Sequence, residues 1–149
     1  MIALGADHGG YLLKEEIKKH LDEKGIEYKD FGTYSTDSVD YAKIAFETCK
    51  SVTSGESEKA ILCCGTGIGI SMAANKVKGI RAACCSDWFS AKYTRLHNDA
   101  NALCLGGRVV GAGLALEMVD VFLSTGFEGG RHQRRVDQIT AIENGTFEG

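Results

Sequence analysis

The sequence predicts a three-layer α/β fold, in which a parallel sheet of five strands lies between two layers of helices. Five short β-favouring runs recur along the chain, and stretches with the apolar spacing of amphipathic helices separate them. Parallel strands need long crossovers, and a helix is the usual crossover. The main polar clusters come directly after predicted strands, where open parallel sheets bind ligands. We therefore expect a Rossmann-like sheet with the functional site at the carboxyl ends of its strands.

The predicted elements alternate from the first residues onward. The predicted strands are residues 2–6, 27–31, 60–64, 80–85 and 102–105. Leu13, Ile17 and Leu21 are spaced four apart and form one face of a first helix. Gly25 should end this helix, and Gly55 should end the second. The next predicted helices are residues 70–76, 89–96 and 114–123.

The tail of the chain has no strand to return to. Residues 128–131, Glu-Gly-Gly-Arg, open a last helical segment that runs to about residue 144. Its apolar positions are Val136, Ile139 and Ile142. A terminal helix of this kind packs either on another subunit or on its own domain, and the sequence leaves both open.

The composition bounds the class of protein. With 149 residues, 44% of them hydrophobic, the chain suits a single globular domain over residues 1–149. A formal net charge of -3 gives no general attraction to nucleic acid or to an anionic membrane, so neither is an expected partner. The chain opens without a basic leader, and no run approaches the ~20 apolar residues of a membrane span. A cytoplasmic location is therefore expected.

The six cysteines do not suggest a disulfide framework, because a chain of this length can fold without disulfide bonds. Cys-X-X-Cys and His-X-X-X-His spacings are absent, so no metal is expected. Five of the cysteines lie in apolar runs and are interpreted as small, reduced core residues: Cys49, Cys63, Cys84, Cys85 and Cys104.

The sixth cysteine begins the most informative motif, Cys-Gly-Thr-Gly-Ile-Gly at residues 64–69. Alternate glycines permit a sharp turn, and unpaired amides at the start of a helix can face an anion. The same helix end favours a thiolate over a thiol, so Cys64 is a candidate base or nucleophile. An inert buried thiol is the alternative.

Two other polar clusters follow predicted elements. Asp7 and His8 come after the first strand, where Asp7 either caps the first helix or faces a ligand in the crevice. His97 follows a helical segment and could transfer protons near neutral pH, with Asn98 or Asp99 orienting it or binding a hydroxyl. Alternatively, His97 only complements the carbonyl end of that helix.

The tail carries a basic cluster. Arg131 and Arg135 are four residues apart and share one helical face, while Arg134 points away. Two guanidinium groups on one face suit a phosphate dianion, and Arg108 could add a third cation. A solvated basic face that balances nearby carboxylates is the alternative.

The glycine loop differs from its common look-alikes. Ile70 and Ser71 follow the last glycine, where a nucleoside-triphosphate loop has Lys and Ser or Thr. The third glycine falls two residues after the second, whereas a dinucleotide loop has three, although Asp87 stands where a ribose-binding acid would. A cysteine phosphatase loop needs an arginine where Ile70 stands.

Seven segments carry a specific combination of motifs: GADHGG (5–10), Asp-Tyr (40–41), CGTGIGISMAANK (64–76), GIRA (79–82), RLHNDAN (95–101), GGRVVG (106–111) and EGGRHQRRV (128–136). In their order and combination they resemble the ribose-5-phosphate isomerase B family, within a wider group that includes galactose-6-phosphate isomerase subunits. The likeness covers nearly the whole chain. One departure is Ala42, where members commonly carry proline, and it affects a helix start more than chemistry.

The resemblance implies interconversion of ribose 5-phosphate and ribulose 5-phosphate through an enediol, a pentose phosphate pathway step, without metal or cofactor. By the family pattern Cys64 removes the C2 proton and returns it at C1, His97 assists ring opening, and Thr66 moves a hydroxyl proton. Asp7, His8 and Asn98 would hold hydroxyls or the ring oxygen, the amides of residues 65–69 would stabilise the oxyanion, and the arginines would bind phosphate. The substrate-binding residues implied are Asp7, His8, Tyr41, Gly65, Thr66, Gly67, Ile68, Gly69, Asn98, Arg108, Arg131 and Arg135.

The resemblance also implies an obligate homodimer, with further pairing to a tetramer left open. His97 and the arginines of the tail would face the cysteine loop of the partner subunit. The preferred sugar stays open, because galactose 6-phosphate, allose 6-phosphate and free allose are alternatives. From other classes, a nucleotide-binding regulatory module and a thiol hydrolase built on Cys64, His97 and Asp99 stay open as well.

Overall fold

The computed structural model describes residues 1–149 and contains one sheet of five strands, in which all neighbours are parallel. Across the sheet the order is β2-β1-β3-β5-β4. In chain order the strands are β1 (Ile2–Ala6), β2 (Tyr28–Asp30), β3 (Lys59–Cys64), β4 (Ala82–Cys84) and β5 (Ala102–Gly106). The predicted parallel sheet is therefore confirmed, and each predicted strand overlaps an observed one.

The two edge strands are shorter than predicted. β2 and β4 have three residues each, whereas the β-favouring runs cover residues 27–31 and 80–85. Each edge strand pairs with one neighbour only. Backbone hydrogen bonds to a neighbouring strand exist on one side only. The regular strand pairing therefore ends sooner than the β propensity of the flanking residues indicates.

Six helices accompany the strands: α1 (Tyr11–Glu23), α2 (Tyr41–Thr53), α3 (Ile68–Ala74), α4 (Trp88–Asn98), α5 (Ala112–Ser124) and α6 (Arg131–Glu143). Gly25 and Gly55 follow the last turns of α1 and α2, with φ of +67° and +84°. This left-handed conformation suits glycine and ends a helix, as the sequence predicts. None of the helices is both long and apolar enough to cross a membrane.

Side chains of the central strands alternate between two separate cores. Leu4 and Leu103 pack in a cluster with residues of α1, α4 and α5 on one face of the sheet. Ala3 and Cys104 pack in a second cluster with residues of α2 and α3 on the other face. Alternation with a period of two sends successive side chains to opposite faces, and this produces the three layers that the sequence predicts.

The sheet order places a crevice beside the end of β3. From β1 the chain passes to β2 on one side, and it then returns to β3 on the other side. At such a switch point the connecting loops diverge and leave room for a ligand. Ala6 pairs with Cys63 in the register of β1 and β3, so Asp7 and Cys64 lie next to each other at this crevice.

A buried lysine holds the segment between β2 and α2. The Nζ of Lys14, on α1, donates to both carboxylate oxygens of Asp30 at 2.6 and 2.7 Å and to the carbonyl of Thr33 at 2.6 Å. Its side chain is only 1% exposed. Burial alone would raise the pKa of Asp30, but the hydrogen bonds from Lys14 and Lys18 outweigh it and lower that pKa. The ion pair is therefore part of the packing.

The terminal helix α6 packs against α4 along its first half. His132 and Val136 are buried there. Further along, Ile139 and Ile142 are 47% and 62% exposed. The helix therefore uses part of its apolar face within its own chain and leaves another part uncovered.

Candidate active site

Cys64 ends β3 beneath the start of α3. Its side chain is buried, and its Sγ accepts a hydrogen bond from the amide of Gly67 at 3.1 Å. Gly67 precedes α3 with φ of +80°, a conformation that costs glycine little. The tight turn therefore folds the start of a helix back over the thiol, which is the arrangement that the glycine pattern predicts.

Three glycine-bearing loops meet around this turn. A Cβ on Gly9, after β1, would lie 2.8 Å from the amide nitrogen of Gly65, and one on Gly107, after β5, would lie 2.6 Å from the carbonyl oxygen of Gly9. The amide of Gly107 donates to the carbonyl of Cys64 at 2.8 Å. The loops are thus packed main chain against main chain, and side chains at these glycines would separate them.

The amides of residues 65–69 divide into two sets. Gly67 donates to the thiol of Cys64, and Ile68 donates to the hydroxyl of Thr66 at 3.2 Å. The amides of Gly65, Thr66 and Gly69 make no hydrogen bond within the chain. The expectation that all five face an oxyanion is therefore refined: three are free donors, and two already hold side chains.

Asp7 and His8 border the same crevice. Asp7 is buried, and its Oδ1 accepts from the amides of Gly9 and Gly10 at 2.9 and 3.2 Å. This bond precedes α1, so Asp7 fixes the loop instead of capping the first turn, and its Oδ2 is left for a ligand. The Nδ1 of His8 accepts from the amide of Val39 at 3.2 Å. A neutral His8 ring with that partner carries its proton on Nε2.

Tyr41 and Arg108 complete this group of residues. A Cβ on Gly69 would lie 2.8 Å from the ring of Tyr41, and one on Gly65 would lie 3.0 Å from the guanidinium of Arg108. Both side chains therefore lie against the glycine loop. Arg108 is exposed and has no carboxylate partner within the chain, so its charge is free for an anion.

The cysteines confirm four core positions and correct one. Burial raises the pKa of Cys49 and of Cys63 to about 12 and that of Cys85 to about 11, and it raises the pKa of Cys104 well above its usual value. These thiols are protonated core residues, as predicted. All six cysteines are free.

Cys84 was predicted to be a core residue, and this is wrong. It is exposed, with Sγ 3.8 Å from the carbonyl of Thr66, and it lines a cavity of about 210 Å³ together with Thr66 and Ile68. Partial burial and the neighbouring Cys64 raise its pKa. Cys84 is the last residue of a short edge strand, so no second strand covers it.

His97 lies in a different group, between α4 and α6. Its ring stacks on His132, with centroids 4.0 Å apart and planes at 12°, and it meets the edge of Tyr93 at 5.1 Å. The Oε2 of Glu128 lies 3.3 Å from Nε2 of His132 and 3.9 Å from Nε2 of His97. Desolvation lowers the pKa of His132, and the neighbouring His97 and Arg131 lower it further. No role for Glu128 or His132 was predicted from the sequence.

Two acidic residues have structural partners. Asp99 accepts from Arg95 at 2.8 Å and from Arg81 at 3.3 Å, so the expectation that it orients His97 is wrong. Asp87 accepts from the amide and the hydroxyl of Ser90 at 2.7 and 2.8 Å and thus caps α4. These contacts weaken the thiol-hydrolase alternative, which needs Asp99, and the nucleotide alternative, which needs Asp87.

The remaining predicted residues lie with His97. Arg131 and Arg135 are exposed on α6 and form no ion pair within the chain. Asn98 ends α4, and its side chain makes no hydrogen bond. It lines a cleft of about 760 Å³, which is bordered by the segment after α3, by β4, by α4 and by α6 and does not include Cys64.

The predicted site is therefore divided into two groups within one chain. The Cys64 group contains the glycine loop with Asp7, His8, Tyr41 and Arg108. The His97 group contains His97, Asn98, Glu128, His132, Arg131 and Arg135. No hydrogen bond, ion pair or ring contact joins the two, and none of the main cavities is lined by both Thr66 and His97.

The chain is similar to known sugar isomerases in both sequence and structure. The family described as Ribose/Galactose Isomerase matches residues 2–139. Ribose-5-phosphate isomerase B of Escherichia coli K12 is 53% identical over 142 residues, which are 95% of each chain. A Clostridium thermocellum ribose-5-phosphate isomerase B structure superposes with a TM-score of 0.95, at 52% identity and over 97% of both chains. A Mycoplasma genitalium homologue with bound ribulose-5-phosphate has a TM-score of 0.91, at 42% identity and over 96% of this chain and 95% of that one.

Proposed function

Because this chain belongs to the ribose/galactose isomerase family and is an isomerase, we propose that its reaction interconverts D-ribose 5-phosphate and D-ribulose 5-phosphate. The observation that carries the proposal is the position of Cys64, whose thiol lies under the start of α3 at the switch point of the sheet. The homologue with bound ribulose-5-phosphate supports this choice of sugar.

Cys64 acts as the base of the proposed reaction. Its thiolate takes the proton from C2 of the open-chain aldose, the C–H electron pair forms a C1=C2 double bond, and the carbonyl electrons move to O1. The O2 proton then passes to O1, the carbonyl forms between C2 and O2, and the C1=C2 electron pair takes the proton back from the thiol at C1. In the free enzyme the amide of Gly67 donates a hydrogen bond that stabilises the thiolate.

The free amides beside the thiol stabilise the charge that develops on oxygen. Gly65, Thr66 and Gly69 supply donors that have no partner in the chain, and they are held by packed main chain. Donors that are already oriented need no reorganisation when the charge appears, and the loss of one typically costs ~3 kcal/mol of transition-state stabilisation. In this proposal the hydroxyl of Thr66 moves the proton between the two sugar oxygens.

Asp7, His8 and the arginines position the two ends of the sugar. Asp7 offers its free Oδ2 to a hydroxyl, and His8 offers Nε2–H. Arg108 offers an unpaired guanidinium beside Gly65, and Arg131 and Arg135 add two more from α6. Guanidinium forks bind phosphate through charge-assisted pairs, and fixing that end brings C2 to the thiolate.

We further propose that two subunits share each active site. His97, which assists ring opening, and the arginines of α6 lie in a group separate from Cys64 within the chain. The uncovered apolar positions Ile139 and Ile142 continue from that group along α6. A homodimer in which α4 and α6 of one subunit face the Cys64 group of the other would complete both sites and cover this surface.

The test is ribose 5-phosphate turnover by the wild type, Cys64→Ala and Cys84→Ala in chelator-treated buffer. We expect Cys64→Ala to lose about 10²–10⁴-fold in kcat, the usual contribution of a positioned base, while its circular dichroism stays that of the wild type. Cys84→Ala is the matched control, because it removes an exposed thiol beside the same loop. Full activity of Cys64→Ala would exclude the thiolate as the base, and an inactive wild type would exclude this sugar.

A further inference from the structure

Three side chains of the His97 group could together bind a metal ion, and the proposed reaction does not need one. His97, Glu128 and His132 each offer one ligand atom, and these atoms lie within 4.8 Å of one another. Two imidazoles and a carboxylate are a ligand set that zinc and similar ions accept, with metal–ligand distances of about 2.0–2.2 Å.

His132 supplies a second, independent observation. Its side chain is 8% exposed, and its Nε2 is buried without a hydrogen-bond partner, even though Glu128 Oε2 lies only 3.3 Å away. Buried polar atoms without a partner are few in native proteins, and each one needs an explanation. A cation between Nε2 and the carboxylate would provide that partner.

We infer that His97, Glu128 and His132 form a binding site for a divalent transition-metal ion such as Zn²⁺, and that the bound ion inhibits the enzyme. The inhibitory part rests on the proposed function, because the ion would occupy a ring nitrogen of His97, the residue proposed to assist ring opening. The binding part stands on the three side chains alone.

The main chain already brings the ligands together. The amide of Glu128 donates to the carbonyl of Leu96 at 3.1 Å, which ties the start of the tail to the end of α4 next to His97. The amide of His132 donates to the carbonyl of Gly129 at 3.0 Å and closes the turn into α6. Only side-chain rotation is therefore needed to contract the site to tetrahedral edges of about 3.3 Å, a separation that follows from the bond lengths.

The two outer ligands are free to make that rotation. His97 and Glu128 are 37% and 49% exposed, whereas His132 is held by burial. The ring of His97 must turn out of its stack on His132 so that its lone pair points at the ion. Arg131 and Arg135 lie close by and repel a cation, so the ion is an exchangeable inhibitor and not a resident cofactor.

Binding is tested directly with Co²⁺, whose visible absorption reports its ligands. We expect the wild type to bind one ion per chain, with a spectrum of nitrogen and oxygen ligands and without a thiolate charge-transfer band. Glu128→Gln and His132→Gln should each weaken the affinity at least tenfold, and Zn²⁺ should displace the cobalt. Asp137→Asn, an exposed acid on the same helix, is the control and should bind as the wild type does.

Glu128 is exposed, so Glu128→Gln keeps this test valid if His132→Gln fails to fold. Unchanged cobalt affinity in Glu128→Gln, or a thiolate band in the wild type, would overturn the site.

Inhibition is tested in the turnover assay with added Zn²⁺. We expect at least a tenfold loss of rate at saturation, recovery with chelator, and a tenfold higher half-inhibitory concentration for Glu128→Gln. Cobalt bound at this site without any zinc inhibition would overturn the inhibitory part. A wild type that does not turn over ribose 5-phosphate would contradict the proposed function, while the cobalt measurement would still decide the metal site.

Discussion

The two groups of the candidate active site differ in the kind of atoms that form them. The Cys64 group consists largely of main chain: glycine loops in direct contact, three amides without a partner in the chain, and a thiol that accepts from the amide of Gly67. The His97 group consists of side chains on α4 and α6 that touch one another across a helix contact. A main-chain site tolerates little change but needs few particular side chains, whereas a side-chain site can change its residues without changing the fold.

The largest expected effect concerns whether the two groups meet across subunits. Cys64→Ala and His97→Gln should each be nearly inactive alone. Co-refolded in equal amounts, they should regain roughly a quarter of wild-type turnover, because about half of the dimers are mixed and each mixed dimer has one complete site.

Mixing Cys64→Ala with the Cys64→Ala, His97→Gln double variant is the control, which should stay inactive. If the mixture of the two single variants is inactive, Cys64 and His97 of different subunits do not form one site, which contradicts the shared site.

A substitution at Gly67 should show how little the main-chain group tolerates. Alanine there must adopt φ of +80°, and its Cβ would lie 2.9 Å from the carbonyl carbon of Leu105 and 3.1 Å from the amide nitrogen of Gly106. We expect Gly67→Ala to lose about 2 kcal/mol or more in the free energy of unfolding and to lose turnover as well. Urea denaturation and kcat measure the two effects.

Gly113→Ala is the matched control for that change. Gly113 lies in α5 with open space around its Cβ position, so alanine should stabilise the helix by about 0.5–1 kcal/mol. If Gly67→Ala did not lower the free energy of unfolding, as Gly113→Ala should not, the positive φ and the close main-chain contacts of Gly67 would not be required for the turn over Cys64.

A substitution on α6 should show the opposite behaviour. Arg135→Gln should lower kcat/KM about 10–100-fold through a raised KM, because a charge-assisted bond to phosphate is worth ~1.5–3 kcal/mol. Its free energy of unfolding should stay within about 0.5 kcal/mol of the wild type, since Arg135 is exposed and unpaired. Arg134→Gln, on the neighbouring face, should leave KM unchanged, and equal effects of both variants would refute a specific phosphate contact.

The smallest expected effect concerns the support of His8. Asp30 holds Lys14, which in turn holds the segment that presents Val39 to His8. The pKa of Asp30 is lowered in the folded protein, so its stabilisation is fully present above its unfolded pKa and is lost as pH falls through the folded value. Unfolding by urea between pH 3 and 7 should therefore show a drop at acid pH that is smaller in Asp30→Asn, and an equal drop in both would contradict this assignment.

Sequence reasoning was most successful where structure is local. The loop at residues 64–69, the helix ends at Gly25 and Gly55 and the alternation of strands and helices follow from neighbours in the chain. Glycines at alternate positions and polar residues after strands are local signals, so Cys64, Asp7, His8 and Arg108 could be predicted to lie together, whereas Tyr41 came only from the family resemblance.

Contacts between distant segments were harder to predict. The exposure of Cys84 depends on how soon an edge strand ends, and its immediate neighbours Ala83 and Cys85 are apolar, as those of Cys104 are. The stacking of His132 on His97 depends on how α6 crosses α4. Glu128 and His132 are four residues apart, and this spacing indicates that their side chains can meet. It does not indicate that both also meet His97.

The position of β5 between β3 and β4 has a consequence for synthesis on the ribosome. One edge of β3 finds its partner only when β5 has emerged, although β4 appears earlier, because β4 itself pairs only with β5. At ~5–20 residues per second, the nascent chain exposes this apolar strand edge for a few seconds. Chains truncated before residue 102 would keep it permanently, so they should be captured by chaperones or aggregate.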